Sequence, residues 1–264
     1  MHILITGAAG MLGRKLVARL ISEGGVLRLT LADIVKPDHP AGFAGDFLAS
    51  ACDISDQRAV CQLVADKPDL IYHLAAIVSG EAERDFDKGY RINLDGTRHL
   101  LEAVRAHDDP AYRPRFVFSS SIAVYGGDLP EVIEDNQRLM PASSYGVQKA
   151  MGELMVADFT RKGFIDGLSL RLPTITVRPG KPNKAASSFY SGIIREPLNG
   201  MAAILPVPKT VRHWFASPRT AVDFLVHAGK IDLDGMPAHR ALSLPGVSAS
   251  VGEMIEALAR IGGQ

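Results

Sequence analysis

The stretch "LITGAAGMLG", residues 4–13, constrains this chain more than any other. An apolar, strand-like run ends on Gly7, Gly10 and Gly13, and an amphipathic segment comes directly after it, with Leu12, Leu16 and Leu20 on one side. Glycines at these places permit a tight turn, a close approach of pyrophosphate to the backbone and close packing of helix on strand, while the helix start supplies N–H donors. Gly7, Gly10, Met11, Leu12 and Gly13 are therefore read as a dinucleotide cradle. An ordinary glycine-rich turn is the alternative. It loses ground because strand, turn and helix occur in order at the very N-terminus.

Downstream, short β-like runs alternate with amphipathic helical ones. In order they are "HILIT", residues 11–22, "LRLTLAD", "LIYHLAA", residues 89–107, "RFVFSSS", residues 144–162 and "LSLRLPTIT". That rhythm predicts an α/β fold of Rossmann type, a doubly wound parallel sheet with helices on both faces. It lapses after Pro173, where "VRPGKPNKAASSFYSGIIREPLNG" reads as a loop running into a short helix. Residues 1–176 are taken as the nucleotide-binding domain and residues 177–264 mainly as a small C-terminal substrate lobe. Ser217 and Pro218 look like an N-cap and first helical position, and "SVGE", Ser250 to Glu253, like a capping box opening a final helix.

Asp33 closes the second predicted strand, twenty residues past Gly13, near the offset at which an acidic side chain meets the adenosine ribose hydroxyls. Its carboxylate would repel a 2′-phosphate, which favours NAD over NADP. Arg14 and Lys36 nearby pull the other way, and a solvated strand-end charge is the alternative reading of Asp33.

With 29 basic and 29 acidic residues, the chain carries no electrostatic footprint for nucleic acid or an anionic membrane, so a small-molecule partner is expected. No stretch approaches the roughly 20 apolar residues of a membrane span. Met1 passes almost at once into "ILI" with no basic, cleavable leader. Cys52 and Cys61, the only cysteines, lack a CxxC spacing and read as packing residues, and a cytoplasmic protein is expected. His73 has no second ligand at a metal spacing, so it reads as a core or cofactor-wall residue and no metal site is expected.

"SSYGVQK", residues 143–149, places Tyr145 and Lys149 about one turn apart on one helix face. Oxidising a secondary alcohol requires a base for the hydroxyl proton while hydride leaves carbon, and a free tyrosine, with a pKa of about 10, is a poor base near neutrality. A nearby ammonium and a positive nicotinamide both favour phenolate, which is the chemical reason for a lysine beside the tyrosine. Alone, the spacing also fits an exposed helix face.

Together with "TGAAGMLG", "CDISD" (Cys52 to Asp56), "HLAA" (His73 to Ala76), "INLDGT" (Ile92 to Thr97), "SSSIAVYGG" (Ser119 to Gly127) and "RLPTITVRPG", this stretch resembles the extended short-chain dehydrogenase/reductase superfamily, which includes nucleotide-sugar epimerases and dehydratases. The resemblance covers most of the chain. It implies Ser121, Tyr145 and Lys149 as the catalytic trio, with Ser121 orienting the reacting oxygen. It further implies that Asp53 and Ile54 flank the adenine, and that the backbone around Leu74, Ala75 and Ala76 lines the cofactor, joined there by Ser119, Tyr145 and Lys149. Asn93 would support the active site, and Pro173 and Thr174 would lie near the nicotinamide. The resemblance also implies that part of the segment 177–264 returns to the main sheet. Pairing of the helices after Asn93 and Tyr145 into a homodimer is implied in the same way.

Within the superfamily, Ile122 and Ala123 after Ser121 lack the acid and base of a sugar-nucleotide dehydratase. An epimerase must hold a nucleotide diphosphate, and only about ninety residues follow Pro173, which leaves a small lobe. The segments "RLPTITVRPGKPNKAASSFYSGIIREPL" and "AAIVSGEAERDFD" resemble the D-erythronate dehydrogenase branch, which implies NAD-dependent oxidation of the C2 hydroxyl of a four-carbon sugar acid to the 2-oxo acid. Arg178, Lys181 and Lys184 could attract the carboxylate, while Ser79, Asn183, Ser187 and Ser188 could bind hydroxyls beside Ser121 and Tyr145. For any one of these basic residues, loop solvation is an equal alternative. The chain stops just after its final capped helix, where relatives commonly continue, so a terminal piece of the lobe is expected to be missing. A nucleotide-sugar epimerase and a nonenzymatic NAD-binding regulator remain as rival readings; the complete Ser121, Tyr145 and Lys149 set argues against the regulator.

Overall fold

A computed structural model describes residues 1–134, 136–180 and 185–262. β1 (His2–Thr6) leads through the glycine turn into α1 (Met11–Glu23), succeeded by β2 (Arg28–Asp33), β3 (Asp46–Ala51), α2 (Gln57–Val64) and β4 (Leu70–His73). Next come α3 (Ser79–Arg84), α4 (Phe86–Gly89), a π-helical turn over Tyr90–Asp95 that runs into α5 (Gly96–Arg105), β5 (Arg115–Ser121) and α6 (Ser144–Arg161). After them stand β6 (Asp166–Leu172), β7 (Thr174–Ile175), α7 (Ser188–Leu198), β8 (Arg212–Ala216), α8 (Pro218–Ala228), β9 (Ala241–Ser243), β10 (Val247–Ser250) and α9 (Val251–Gly262).

Seven strands form one sheet in the order β3-β2-β1-β4-β5-β6-β9, with every neighbouring pair parallel. From β1 the chain winds outward to β2 and β3, then crosses back to β4 and winds the other way. The reversal opens a crevice at the carboxyl ends of β1 and β4, the usual ligand position in such a sheet. Both faces are covered, one by Leu16 and Leu20 of α1 with Ala221 and Leu225 of α8, the other by Leu63 of α2, Leu100 and Leu101 of α5, and Val156 of α6. Strands covered on both faces read as continuous apolar runs, and Ile3, Leu4 and Ile5 are accordingly all buried. A second sheet, β10-β8-β7, packs its own cluster of Tyr190, Ile193, Phe215, Val251 and Met254.

Two local expectations change. "LSLRLPTIT" is not one strand: Pro173 has no N–H to give a ladder, and it separates β6 in the large sheet from β7 in the small one. β3 and α2 do not stand out in the apolar rhythm, because β3 is a partly exposed edge strand and α2 is only eight residues long. What starts α2 is Asp56, whose carboxylate accepts from the N–H groups of Arg58 and Ala59. The caps read from sequence do form. Ser217 Oγ accepts from the Thr220 N–H at 3.0 Å, and Ser250 and Glu253 exchange reciprocal side-chain to backbone bonds at 3.1 and 2.6 Å.

Candidate active site

The glycine turn lies at the crevice. Gly7 has φ +74, a left-handed conformation that glycine adopts without strain, and a Cβ there would stand 2.7 Å from the Ala75 nitrogen. A Cβ on Gly13 would come within 2.3 Å of the Gly7 carbonyl oxygen, so α1 sits directly on the turn that precedes it. Gly10 is exposed at the N-cap of α1, no side chain among the described residues caps that helix, and its first turn, with Met11 and Leu12, holds no acidic residue. Donor groups at an uncapped helix start, beside backbone open to approach, suit a pyrophosphate. Asp33 Oδ2 accepts from the Ala9 N–H at 3.0 Å, which ties its carboxylate to the rim of the turn.

Asp53 comes after β3 and accepts from the Ser55 N–H at 2.9 Å and the Ser55 hydroxyl at 2.7 Å. Against burial, which acts to raise it, those bonds and the charges of Arg91 and Lys88 hold this carboxyl below its usual range. The Ile54 side chain turns inward, buried against Gly96 of α5. Leu74 and Ala75 abut the glycine turn, with the Leu74 N–H donating to the Thr6 carbonyl at 3.1 Å and Ala76 continuing the loop. Asn93 anchors this loop one residue beyond Ala76. Its Oδ1 accepts from the Ile77 N–H at 2.8 Å, while Nδ2 donates to the Ile77 carbonyl at 3.2 Å and to Gln148 Oε1 at 2.8 Å. The place of Asn93 in the π turn, a local widening that re-aims side chains, lets one asparagine join the loop after β4 to α6.

His73 belongs to the core. Thr97 Oγ1 donates to the Asn93 carbonyl at 2.7 Å and so accepts from His73 Nε2 at 2.9 Å, which leaves Nδ1 to accept from Thr6 Oγ1 at 2.8 Å. Burial, helped by the Lys149 charge, holds the imidazole down at about 3.

β5 ends on Ser121, and α6 begins under the cap of Ser143, whose hydroxyl accepts from the Gly146 N–H at 3.2 Å. Gly146 allows the two to meet, because a Cβ there would lie 2.2 Å from the Ala123 carbonyl oxygen. This sets the Tyr145 phenol toward Ser121; burial pushes it up to about 12, with Ser121 and the positive charge of Arg178 acting to lower it. One turn on, Lys149 is fully enclosed, donates from Nζ to the Ser119 carbonyl at 2.8 Å and lies 5.6 Å from the centre of the Tyr145 ring. Ser121, Tyr145 and Lys149 are brought together at one point. Their charges differ from the expectation: the lowering of Tyr145 comes from Ser121 and Arg178, while burial brings Lys149 itself down to about 7. A desolvated lysine is only partly charged at neutrality and is a weaker partner than a free ammonium.

Arg178 reaches this point from the small sheet. Its Nε donates to the Ile175 carbonyl at 3.0 Å, Nη2 to Ser187 Oγ at 3.1 Å, and its backbone N–H to Ser191 Oγ at 3.0 Å. Ser187 stands at the N-cap of α7 and Ser188 opens that helix, while Ser79 accepts from the Ala186 N–H at 3.2 Å and so draws the loop after β4 toward α7. Pro173 is buried, and the Thr174 hydroxyl bonds His213 Nε2 at 2.7 Å. Lys181, Asn183 and Lys184 lie outside the described residues. Gln148 and Arg171 lie inside the motifs "SSYGVQK" and "RLPTITVRPG" but are given no role there, and Glu153 and His213 belong to no motif; their one signal is a polar side chain inside an otherwise apolar strand or helix face.

The sequence profile of the NAD dependent epimerase/dehydratase family matches residues 3–217. The chain belongs to that family. Among its relatives, a D-erythronate dehydrogenase of Cupriavidus necator is 48% identical over an alignment covering 100% of this chain and 82% of that protein. A D-erythronate dehydrogenase of Haemophilus influenzae is 42% identical, with 100% of this chain and 83% of that protein covered. The crystal structure of a nucleoside-diphosphate-sugar epimerase from Agrobacterium tumefaciens superposes with a TM-score of 0.96 at 56% identity, covering 100% of this chain and 79% of the other. The family's cofactor, NAD, fits the cradle on the chain's own terms: exposed Gly10, an uncapped helix start and a carboxylate at the ribose offset. No helix among the described residues is long and apolar enough to cross a membrane.

Proposed function

We propose that this family member oxidises the C2 hydroxyl of a short sugar acid, D-erythronate or a close analogue, to the 2-oxo acid. The observation that carries the reading is Arg178, a half-buried guanidinium whose charge acts on the Tyr145 phenol. A cation whose charge reaches the base, held by the Ile175 carbonyl and Ser187, fits a substrate whose carboxylate is attached to the reacting carbon. In this reading Tyr145 Oη takes the C2 hydroxyl proton, Ser121 Oγ holds the same oxygen, and the Nη1 edge of Arg178 holds the carboxylate. NAD, when bound, supplies the hydride acceptor and a positive charge beside the phenol. The cofactor contacts assigned to Gly7, Gly10, Met11, Leu12, Gly13, Asp33, Asp53, Ile54, Leu74, Ala75, Ala76, Asn93, Ser119, Pro173 and Thr174 are part of the same proposal. So is the division of the chain into a cofactor domain, 1–176, and a segment, 177–264, that mainly serves the substrate. The names of the two dehydrogenase relatives support the substrate class.

The Agrobacterium relative favours a second reading, nucleotide-sugar epimerisation. A panel of four- to six-carbon aldonates, uronates, matched alditols and UDP-sugars, assayed for NADH formation and by product analysis, separates the two. NADH with erythronate and a 2-oxo product is the expected outcome; an altered UDP-sugar without net NADH would replace the dehydrogenase reading with the epimerase. A homodimer through α5 and α6 belongs to the proposal as well, supported by the exposure of Met151 and Leu154 on α6. Light scattering that returns a monomer at working concentration would reject it. A cytoplasmic location completes the reading, supported by Cys52 and Cys61 standing as free thiols.

A further inference from the structure

Beneath Lys149 the fold buries a second charged group that the chemistry above does not use. Glu153, one turn further along α6, is 1% exposed, and Arg171 of β6 is 3% exposed. The guanidinium grips the carboxylate from two nitrogens, Nε at 3.0 Å from Oε1 and Nη2 at 2.8 Å from Oε2. Ser120 donates its hydroxyl to the same carboxylate at 2.5 Å. Arg171 Nη1 donates to the Tyr125 hydroxyl at 2.7 Å, which in turn lies 2.8 Å from Ser243 Oγ on β9. One polar chain thus joins α6, β5, β6 and β9.

A buried ion pair is a poor device for stability alone, since apolar residues of the same volume often do as well. The placement is more informative. Ser119 and Ser120 are neighbours on β5, and the first gives its carbonyl to Lys149 while the second gives its hydroxyl to Glu153. We propose that Glu153, fixed by Arg171 and Ser120, is a positioning residue for Lys149: the buried counter-charge that, against burial, favours the ammonium form of the Lys149 nitrogen at the Ser119 carbonyl.

The surroundings of Lys149 leave that task to Glu153. On its own helix stand Tyr145 and Glu153; β5 supplies the Ser119 carbonyl and the Phe118 ring, 4.7 Å from Nζ. β4 supplies His73, kept neutral by burial and by Lys149 itself, and β6 supplies Arg171, which has the same sign as the lysine. Among these described groups Glu153 is the anion, and it is the charge that opposes the effect of burial on Lys149.

The inference rests on reading Lys149 as a site residue, but its test uses ligand-free protein, so it can fail independently of any turnover assay. Lysines isotope-labelled at Cε report the charge of each amine by NMR, and Lys149→Met identifies the Lys149 signal. Glu153→Gln is expected to move its titration midpoint down by roughly one unit or more, as befits one charge a helical turn away in a medium of intermediate dielectric. Glu153→Asp keeps the charge and should leave the midpoint near that of the wild type. Since Glu153→Gln strands Arg171 and can cost the fold, Glu153→Gln combined with Arg171→Met is titrated alongside; losing the Arg171 cation offsets part of the effect, so its downward move should be smaller than that of Glu153→Gln but still present. An unchanged midpoint in either folded variant overturns the proposal and leaves Glu153 and Arg171 as a purely structural pair.

Discussion

Replacing Arg178 by methionine tests the substrate assignment at its most exposed step. The guanidinium commits Nε to the Ile175 carbonyl and one Nη2 hydrogen to Ser187, and among the described residues no hydrogen-bond partner takes its Nη1 side, the edge assigned to the ligand carboxylate. A charge-assisted hydrogen bond contributes about 1.5–3 kcal/mol, so kcat/KM for D-erythronate should fall roughly ten- to a hundredfold. Two side effects accompany that loss. The bonds to Ile175 and Ser187 vanish, and so does the charge that acts to lower Tyr145, which moves the rise of activity with pH to higher pH. Both affect any substrate alike. The informative quantity is therefore the ratio of kcat/KM for erythronate to that for erythritol, measured by NADH formation across a pH series in wild type and Arg178→Met. A large ratio in wild type that collapses toward one in the variant is expected, with Arg178→Lys in between because an ammonium keeps the charge but loses the fork. A ratio that survives in Arg178→Met would refute the carboxylate anchor, even if overall activity dropped.

Tyr145→Phe should fold and bind NAD, by fluorescence titration, yet lose about 100- to 10,000-fold in turnover, because only the proton-accepting oxygen is removed; near-normal turnover would end its assignment as base. Asp33→Ser should narrow or reverse the preference for NAD over NADP, as it removes both a ribose acceptor and the charge that repels a 2′-phosphate, and unaltered kinetics with both cofactors would show that Asp33 does not meet the ribose. His73 is held down at about 3 against an ordinary value of 6.5, so the unfolded chain takes up a proton that the native state refuses as pH falls between those values. Its contribution to stability is thus lost toward acid at up to about 1.4 kcal/mol per unit, and urea titrations at several pH values should show that slope flatten in His73→Gln.

Much of the site was written in local sequence. The glycine turn, the serine that ends a strand, and a tyrosine and lysine one helical turn apart are short-range patterns, and backbone geometry fixes what each can do before any packing occurs. The final capping box is legible for the same reason, since its donors and acceptors all lie within four residues. The rest depended on distance in the chain. Whether Tyr145 meets Ser121 is decided by Gly146 lying flat on the Ala123 carbonyl, and whether Arg178 bears on the phenol is decided by Pro173 turning the chain from one sheet into the other. Charge states were the least legible of all. By spacing alone Lys149 is an ammonium that lowers its tyrosine; packed under β5 it is so desolvated that burial outweighs spacing, and Glu153, four residues on and buried against Arg171 and Ser120, becomes the charge that matters. A sequence specifies which groups are carried and their local geometry, but only the tertiary structure removes water from around them, and that removal sets which groups hold a charge.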